Sequence, residues 1–391
     1  MAAFNGQLRS NEIFSALYNM IISQQVFADN IQKHQTLVDK AKEEAGLYGD
    51  QKLYYSADVL GSNPWGADAG HPKGGVQDLE AGNLLSLDRP EAPEVQALVI
   101  DTFRQVRLTT DEYMSKRAWG TESAFANFTS VMIGMIDTAK KIYEGTLYNV
   151  FIGTAKSAEA AQNITIDLDA GVDANVDESA LDLAKLEAMN IAKGLADLFV
   201  KMGDYSRDFN DYHHMRSYAG ENIKVVWNSN FVNKIRKVDL PTIFHKDGLV
   251  DKFDEDVLPA KYFGRAVAES DIGANKIIGA DGAYDSTKGT LHAAREFVYN
   301  NVHYFPGEPL ATSGTYVGVV GGLDVKDVYI EDADVICKVL VKLPPMLSAF
   351  SVGTSFFNPR SLTTNRYLTW GHSTLEYLKN YPFITVKKAS E

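Results

Sequence analysis

The chain has a single cysteine, Cys337, in 391 residues. No intrachain disulfide can form, so the fold rests on burial and hydrogen bonding, and the usage fits a reducing compartment. Cys337 lies in the apolar run DADVICKVLV, where a small buried hydrophobe is the expected role. Long apolar runs are also missing. A stretch such as Val131 to Ile136 falls far short of the ~18 residues of a spanning helix. The start MAAFNGQLRSNEIF lacks a basic patch followed by an apolar core, so no secretory signal is expected. Basic charge is scarce as well. Lys and Arg number 38 against 51 Asp and Glu, a net charge of -13. Proteins that grip nucleic acid by its phosphates do so with clustered Lys and Arg. Here Lys140-Lys141 and Lys387-Lys388 are isolated pairs that read as solvated faces.

What is present is ordinary for a folded chain: 45% hydrophobic and 23% charged residues. The length suggests two or three domains and permits a sizeable core. Residues 1–45 read as a helical arm, with Asn11 as a cap and Ile13, Leu17, Met20 and Ile21 on one side, followed by a polar helix to about Glu44. Residues 46–94 are punctuated by glycine and proline, with strand pieces expected near Leu53–Tyr55 and Leu84–Leu87. A loop of this length is uncommon in a compact domain. Tyr54, Tyr55, Leu60, Trp65, Leu84 and Leu85 are more apolar than a plain linker needs. They are the candidate contacts with another molecule. Residues 95–109 alternate as a strand does.

The strongest periodicity follows. Thr121 can cap a helix over 121–152, with Phe125, Phe128, Met132, Met135, Ile136, Ala139, Ile142, Tyr143, Leu147, Val150 and Phe151 in steps of three and four. Gly153 is placed to end it. A second amphipathic helix is expected from about Ser179 to Met202, then a buried strand at Ile223–Trp227 and a helix at Asn228–Arg236. From 291 to 345 the text is β-like, with Asn300-Asn301 as a hairpin turn. The chain ends in a strand, FITVKK.

Chemistry is hard to find. Asp167, Asp169, Asp173, Asp177 and Glu178 suggest a calcium loop, but the glycine its turn requires is replaced by Val172, so a solvated loop is expected. GVVGGL, Gly318 to Leu323, lies between strands and lacks a following Lys-Ser/Thr, so it reads as a hairpin or bulge and not a phosphate loop. No zinc-protease helix and no nucleophile elbow occur. His213-His214, with Asp208, Asp211 and Arg216, could form an acid–base cluster or a polar helix end. No catalytic, cofactor or metal residue is assigned.

The order of elements is a helical arm, a long Gly/Pro hairpin, a strand, a very long helix, a mixed region and a return to strands. It resembles the major capsid protein of tailed bacteriophages, the Hong Kong 97 (Johnson) fold. The wording is similar to that of small short-tailed phages: LYGDQKLYYSADVL (Leu47 to Leu60), SLDRPEAPEVQ (Ser86 to Gln96), SKRAWGTESAFANF (Ser115 to Phe128), LYNVFIGTA (Leu147 to Ala155), IKVVWNSNFVNKIR (Ile223 to Arg236) and VHYFPGEPL (Val302 to Leu310). The resemblance implies an α+β fold. It implies an N-terminal arm over 1–45, an extended loop over 46–94 that lies across a neighbour, and a peripheral domain from 95–159 and 290–345 built on the spine helix 121–152. It further implies an axial domain over 160–289, with 346–391 left unassigned. The implied role is a self-assembling shell, in pentamers and hexamers, that encloses double-stranded DNA without sequence-specific binding. The implied partners are a portal and, where scaffolding is used, a separate scaffolding protein, with no membrane and no cofactor. The place is the virion, and the host cytoplasm before assembly. No covalent cross-link is expected. Two other readings stay open: a nanocompartment shell, and an acidic hydrolase using His213-His214.

Overall fold

The structure, a computed structural model, describes residues 36–44, 51–61, 90–111, 122–171, 180–232, 254–271, 289–299, 301–312, 315–316 and 325–389. Along the chain run α1 (Thr36–Ala41), β1 (Lys42–Glu44), β2 (Gln51–Ser56), β3 (Glu94–Thr110), α2 (Glu122–Thr154), β4 (Asn163–Ile166), α3 (Ala180–Gly203), β5 (Lys224–Asn228), β6 (Asp254–Leu258), β7 (Gly264–Ala266), β8 (Leu291–Ala293), β9 (Phe297–Tyr299), β10 (Val302–Tyr304), β11 (Ala311–Thr312), β12 (Thr315–Tyr316), β13 (Val328–Glu331), β14 (Val335–Leu340), β15 (Met346–Asn358), β16 (Thr363–Ser373) and β17 (Phe383–Lys388).

The core is a five-stranded sheet in the order β4-β17-β14-β5-β6. Its central pairs are antiparallel, and its two border strands join in parallel. Alternation sorts its residues into two layers. Val225, Trp227, Cys337, Val339, Ile384 and Val386 share one face with Ile191, Leu195, Leu198 and Met202 of α3. On the other, Val226, Leu340 and Phe383 pack with Tyr148 and Ile152 of α2. A sheet covered on both faces reads as a continuous apolar run, not an alternating one. That is why KVVWN and VICKVL are buried at every position. Cys337 is buried within β14 as expected.

Helix α2 spans 33 residues, or about 50 Å. Ile136, Tyr143 and Val150 of the expected stripe are buried, whereas Met135 is exposed. The deepest residues are Tyr148 and Ile152, which the stripe omitted, and the Tyr148 hydroxyl donates to Pro344 O at 2.9 Å. Gly153 does not terminate the helix, which continues to Thr154. A Cβ there would sit 2.0 Å from Tyr262 O, so the glycine permits close approach of the helix end to the 260–262 turn.

Two further expectations shift. The helix expected to reach Glu44 ends at Ala41, and residues 42–44 run parallel to Met346–Ser348 as β1. Leu37, Val38 and Ala41 are buried beside Tyr148 and Ile152. Around them Lys42 pairs with the buried Glu144 at 2.7 Å, and Lys40 reaches Asp254 and Asp256 at 3.5 and 3.4 Å. Within the expected polar loop after residue 160, NITI forms β4. The expected hairpin is present on either side of Asn300, which lies outside the described residues: Tyr299 pairs with Val302, and Asn301 has φ of 62°, a left-handed backbone that asparagine tolerates. Thr121, residues 84–87 and GVVGGL lie outside the described residues.

Candidate assembly surface

The second five-stranded sheet has the order β1-β15-β16-β3-β2. Near the core, β3 buries Gln96, Leu98 and Ile100. From Asp101 onward it alternates between exposed and half-buried, with no buried residue through Thr110. The strands β3, β15 and β16 thus continue outward as a ribbon. Register fixes its faces. Ser351, Trp370 and Arg104 align across the three strands, as do Gly353, Leu368 and Val106. That face meets α2. The Lys140 amine donates to Ser351 Oγ at 3.0 Å, Arg104 lies over the Tyr143 ring, and the Tyr143 hydroxyl shares a 2.9 Å hydrogen bond with His372 Nε2. The opposite face carries Phe103, Gln105, Arg107, Val352, Thr354 and Phe356, all exposed. Phe103 packs across Gly371, where a Cβ would come within 3.0 Å of its ring. Exposed aromatics on a projecting sheet mark an interaction surface more often than a core.

The root of the 46–94 segment is fastened. Ser56 is buried at the end of β2, and its hydroxyl donates to Asn380 Oδ1 at 2.6 Å and meets His214 Nδ1 at 2.8 Å. Asp58 accepts the Met215 N–H at 2.8 Å and the Arg207 guanidinium at 2.5 Å. Burial works against its ionisation, but these donors outweigh it and hold the carboxyl down to about 2. Arg216 donates to Ala57 O at 2.7 Å. Behind the clamp, Asp211 accepts from Ser157, Gln162 and Tyr377.

The sequence candidates divide accordingly. Tyr54 is half-buried against Leu98, Ile100, Leu347 and Leu378 of its own chain, and its hydroxyl donates to Glu43 at 3.1 Å. Tyr55 and Leu60 are 66% and 73% exposed, and Val59 beside them is exposed too. Trp65, Leu84 and Leu85 lie outside the described residues. His213 and His214 do not share a site. His213 is exposed with φ of 53°, whereas His214 is buried in the clamp. The Ser56–His214 pair has the atoms of a nucleophile and base. However, both groups are buried, the serine proton is taken by Asn380, and no carboxylate among the described residues orients the imidazole, as a triad requires. The Asp169 N–H donates to Asp167 Oδ1 at 3.0 Å in a plain turn, and Asp173, Asp177 and Glu178 lie outside the described residues. Among the described residues no cluster of His, Cys, Asp and Glu could hold a metal ion. No helix there is long and apolar enough to cross a membrane. Strands β15 and β16 of the ribbon were missed in the sequence because their faces are half-open and Gly353 and Gly371 interrupt their alternation. The spacing of Ser351, Gly353 and Ser355 against Val352, Thr354 and Phe356 is the signal that could have found them.

No family model matches the chain, and no curated protein matches it by sequence. Among solved structures, the capsid structure of Staphylococcus phage Andhra matches 94% of this chain and 87% of its own, with a TM-score of 0.57 at 9% identity. A chain in the structure of the head fibre and inner core protein gp22 of native bacteriophage P68 matches over 93% and 87%, also with a TM-score of 0.57 at 9% identity. The α+β fold of this chain is therefore one found in tailed-phage capsid structures.

Proposed function

We propose that this chain is the major capsid protein of a tailed bacteriophage, a structural and non-enzymatic component of the virion. Its copies assemble with themselves, in rings of five and six, into an icosahedral head shell that encloses packaged double-stranded DNA. The carrying observation is the fold, shared with a phage capsid structure over 94% of the chain. The surfaces described above support the same reading. A rigid body formed by α2, α3 and the core sheet carries a projecting ribbon and a clamped loop root, so contacts with neighbours can be made at a distance from the core. We assign residues 46–94 to the loop that crosses a neighbouring copy, with Tyr55 and Leu60 at its base. A net charge of -13 suits a wall that must contain DNA without gripping it, because phosphate binding would need clustered Lys and Arg. A portal and, where scaffolding is used, a separate scaffolding protein would complete the head. The chain would be made in the host cytoplasm.

Sedimentation of the purified protein across a range of concentrations tests this. Closed repeated contacts predict a sharp onset of very large particles, with few intermediates, and closed shells in the electron microscope. A chain that stays monomeric at every concentration and in every buffer contradicts it.

A further inference from the structure

An open strand edge is a template for pairing, and proteins usually blunt it with charge, proline or short length. Most borders of the two large sheets obey this. Strand β1 reads Lys-Glu-Glu, β2 carries Lys52, β4 has four residues, and β6 opens Asp-Glu-Asp. The exception is β15. Its 13 residues, MLSAFSVGTSFFN, contain no charge and no proline. Strand β1 covers only Met346 to Ser348. Beyond that point no described strand lies along its outer edge, residues 351–357 are exposed, and a Cβ on Gly353 would meet nothing within 4 Å.

We propose that this edge pairs antiparallel with the same strand of a second copy, about a two-fold axis at Thr354. The proposal rests on the shell reading and names one of its contacts. Self-complementarity selects the occupant. A two-fold axis normal to the ribbon keeps each face with itself, so residues two apart on either side of the axis meet. Thr354 then faces Thr354, and Val352 of one copy faces Phe356 of the other, twice. Thr–Thr and aromatic–β-branched pairs are among the favourable cross-strand neighbours. No charge of either sign is brought opposite its like. The exposed aromatic face of one ribbon continues into that of the next.

Thr354→Cys tests the contact directly. Residues directly opposite in an antiparallel pair have Cα atoms about 4.5–5.5 Å apart, within disulfide reach. The native thiol, Cys337, is buried and does not compete. Mild oxidation of assembled protein should join most chains as pairs linked at 354, as identified by peptide mass. A mixture of Val352→Cys and Phe356→Cys chains should cross-link, and neither alone should. Thr354→Lys places like charges face to face. It should leave the melting temperature of the single chain unchanged while assembly requires roughly fivefold more protein. Shells that form with residue 354 unlinked would overturn this contact and leave the shell reading standing. Shells of mixed Val352→Cys and Phe356→Cys chains that form without a cross-link would also overturn it. Protein that neither assembles nor cross-links at any concentration would overturn both.

Discussion

Replacing Lys338 by methionine should change how stability depends on pH. The side chain is fully buried in β14, on the face toward α2. Its amine donates to Ala155 O, just past the end of α2, at 2.7 Å and to Thr385 Oγ1 at 2.9 Å. It therefore fastens the end of the long helix to the middle of the core sheet. Burial, and after it the charge of Lys387, pushes the amine from its ordinary 10.5 down to about 7, against the opposite pull of Asp332. Between those values the unfolded chain carries a proton that the folded chain lacks. Stability must then rise as pH climbs from about 7 toward 10.5. It is flat in this respect below about 7, where both states hold the proton. At about 1.4 kcal/mol per unit, unassembled wild-type protein should gain roughly 2–3 kcal/mol over Lys338→Met between pH 7 and pH 9. The methionine variant also loses two buried hydrogen bonds, a cost of about 1–3 kcal/mol that does not vary with pH. Urea unfolding of both proteins through this pH range separates the slope from the offset. Parallel stability curves would refute the argument, because they would show that Lys338 takes up its proton alike in both states.

Other substitutions probe the rest of the scaffold. Gly153→Ala gains helix propensity of up to about 1 kcal/mol, but its Cβ would meet Tyr262 O at 2.0 Å. Overpacking against backbone costs about 1–3 kcal/mol or more, so a lowered melting temperature is expected, and a raised one would show that the contact gives way freely. Asp58→Asn should release the loop root, with faster amide exchange at residues 56–61 and Met215 than in wild type and little change in the core strands. Because the Asp58 carboxyl is held down to about 2, its contribution is present above the ordinary carboxylate range and disappears as pH falls through about 2. Wild type should therefore come to resemble the variant only in strong acid, and convergence near pH 5 would contradict the clamp. Phe356→Glu, on the exposed face of the ribbon, should impair assembly while leaving the unfolding free energy of the single chain within about 0.5 kcal/mol of wild type. Equal loss of both would mean that the residue belongs to the core.

Elements with a local period could be read from the sequence, and those defined by distant partners could not. Helices α2 and α3 declare themselves through steps of three and four, and β3 and β5 through alternation or continuous burial. Strand β4 did not, because its four residues sit in an acidic stretch and are held by pairing with β17 more than 200 positions away. The loop clamp was out of reach for the same reason. His214 looked like one of two adjacent histidines, and its role emerges only when Ser56 and Asn380 arrive from opposite ends of the chain. Gly153 fitted a helix stop equally well until the 260–262 turn was placed against it. In the resemblance the α+β fold was visible at once, because the order of elements depends on no single contact. Of the six apolar contact candidates, Tyr55 and Leu60 are open to a partner, and Tyr54 packs on its own chain.

The central claim is that copies of this chain complete one another. A cryo-electron reconstruction of the assembled purified protein tests it most directly. The account predicts a closed shell of fivefold and sixfold rings in which residues 46–94 of each copy lie across a neighbour. A solitary molecule, with that segment folded onto its own body, would contradict it.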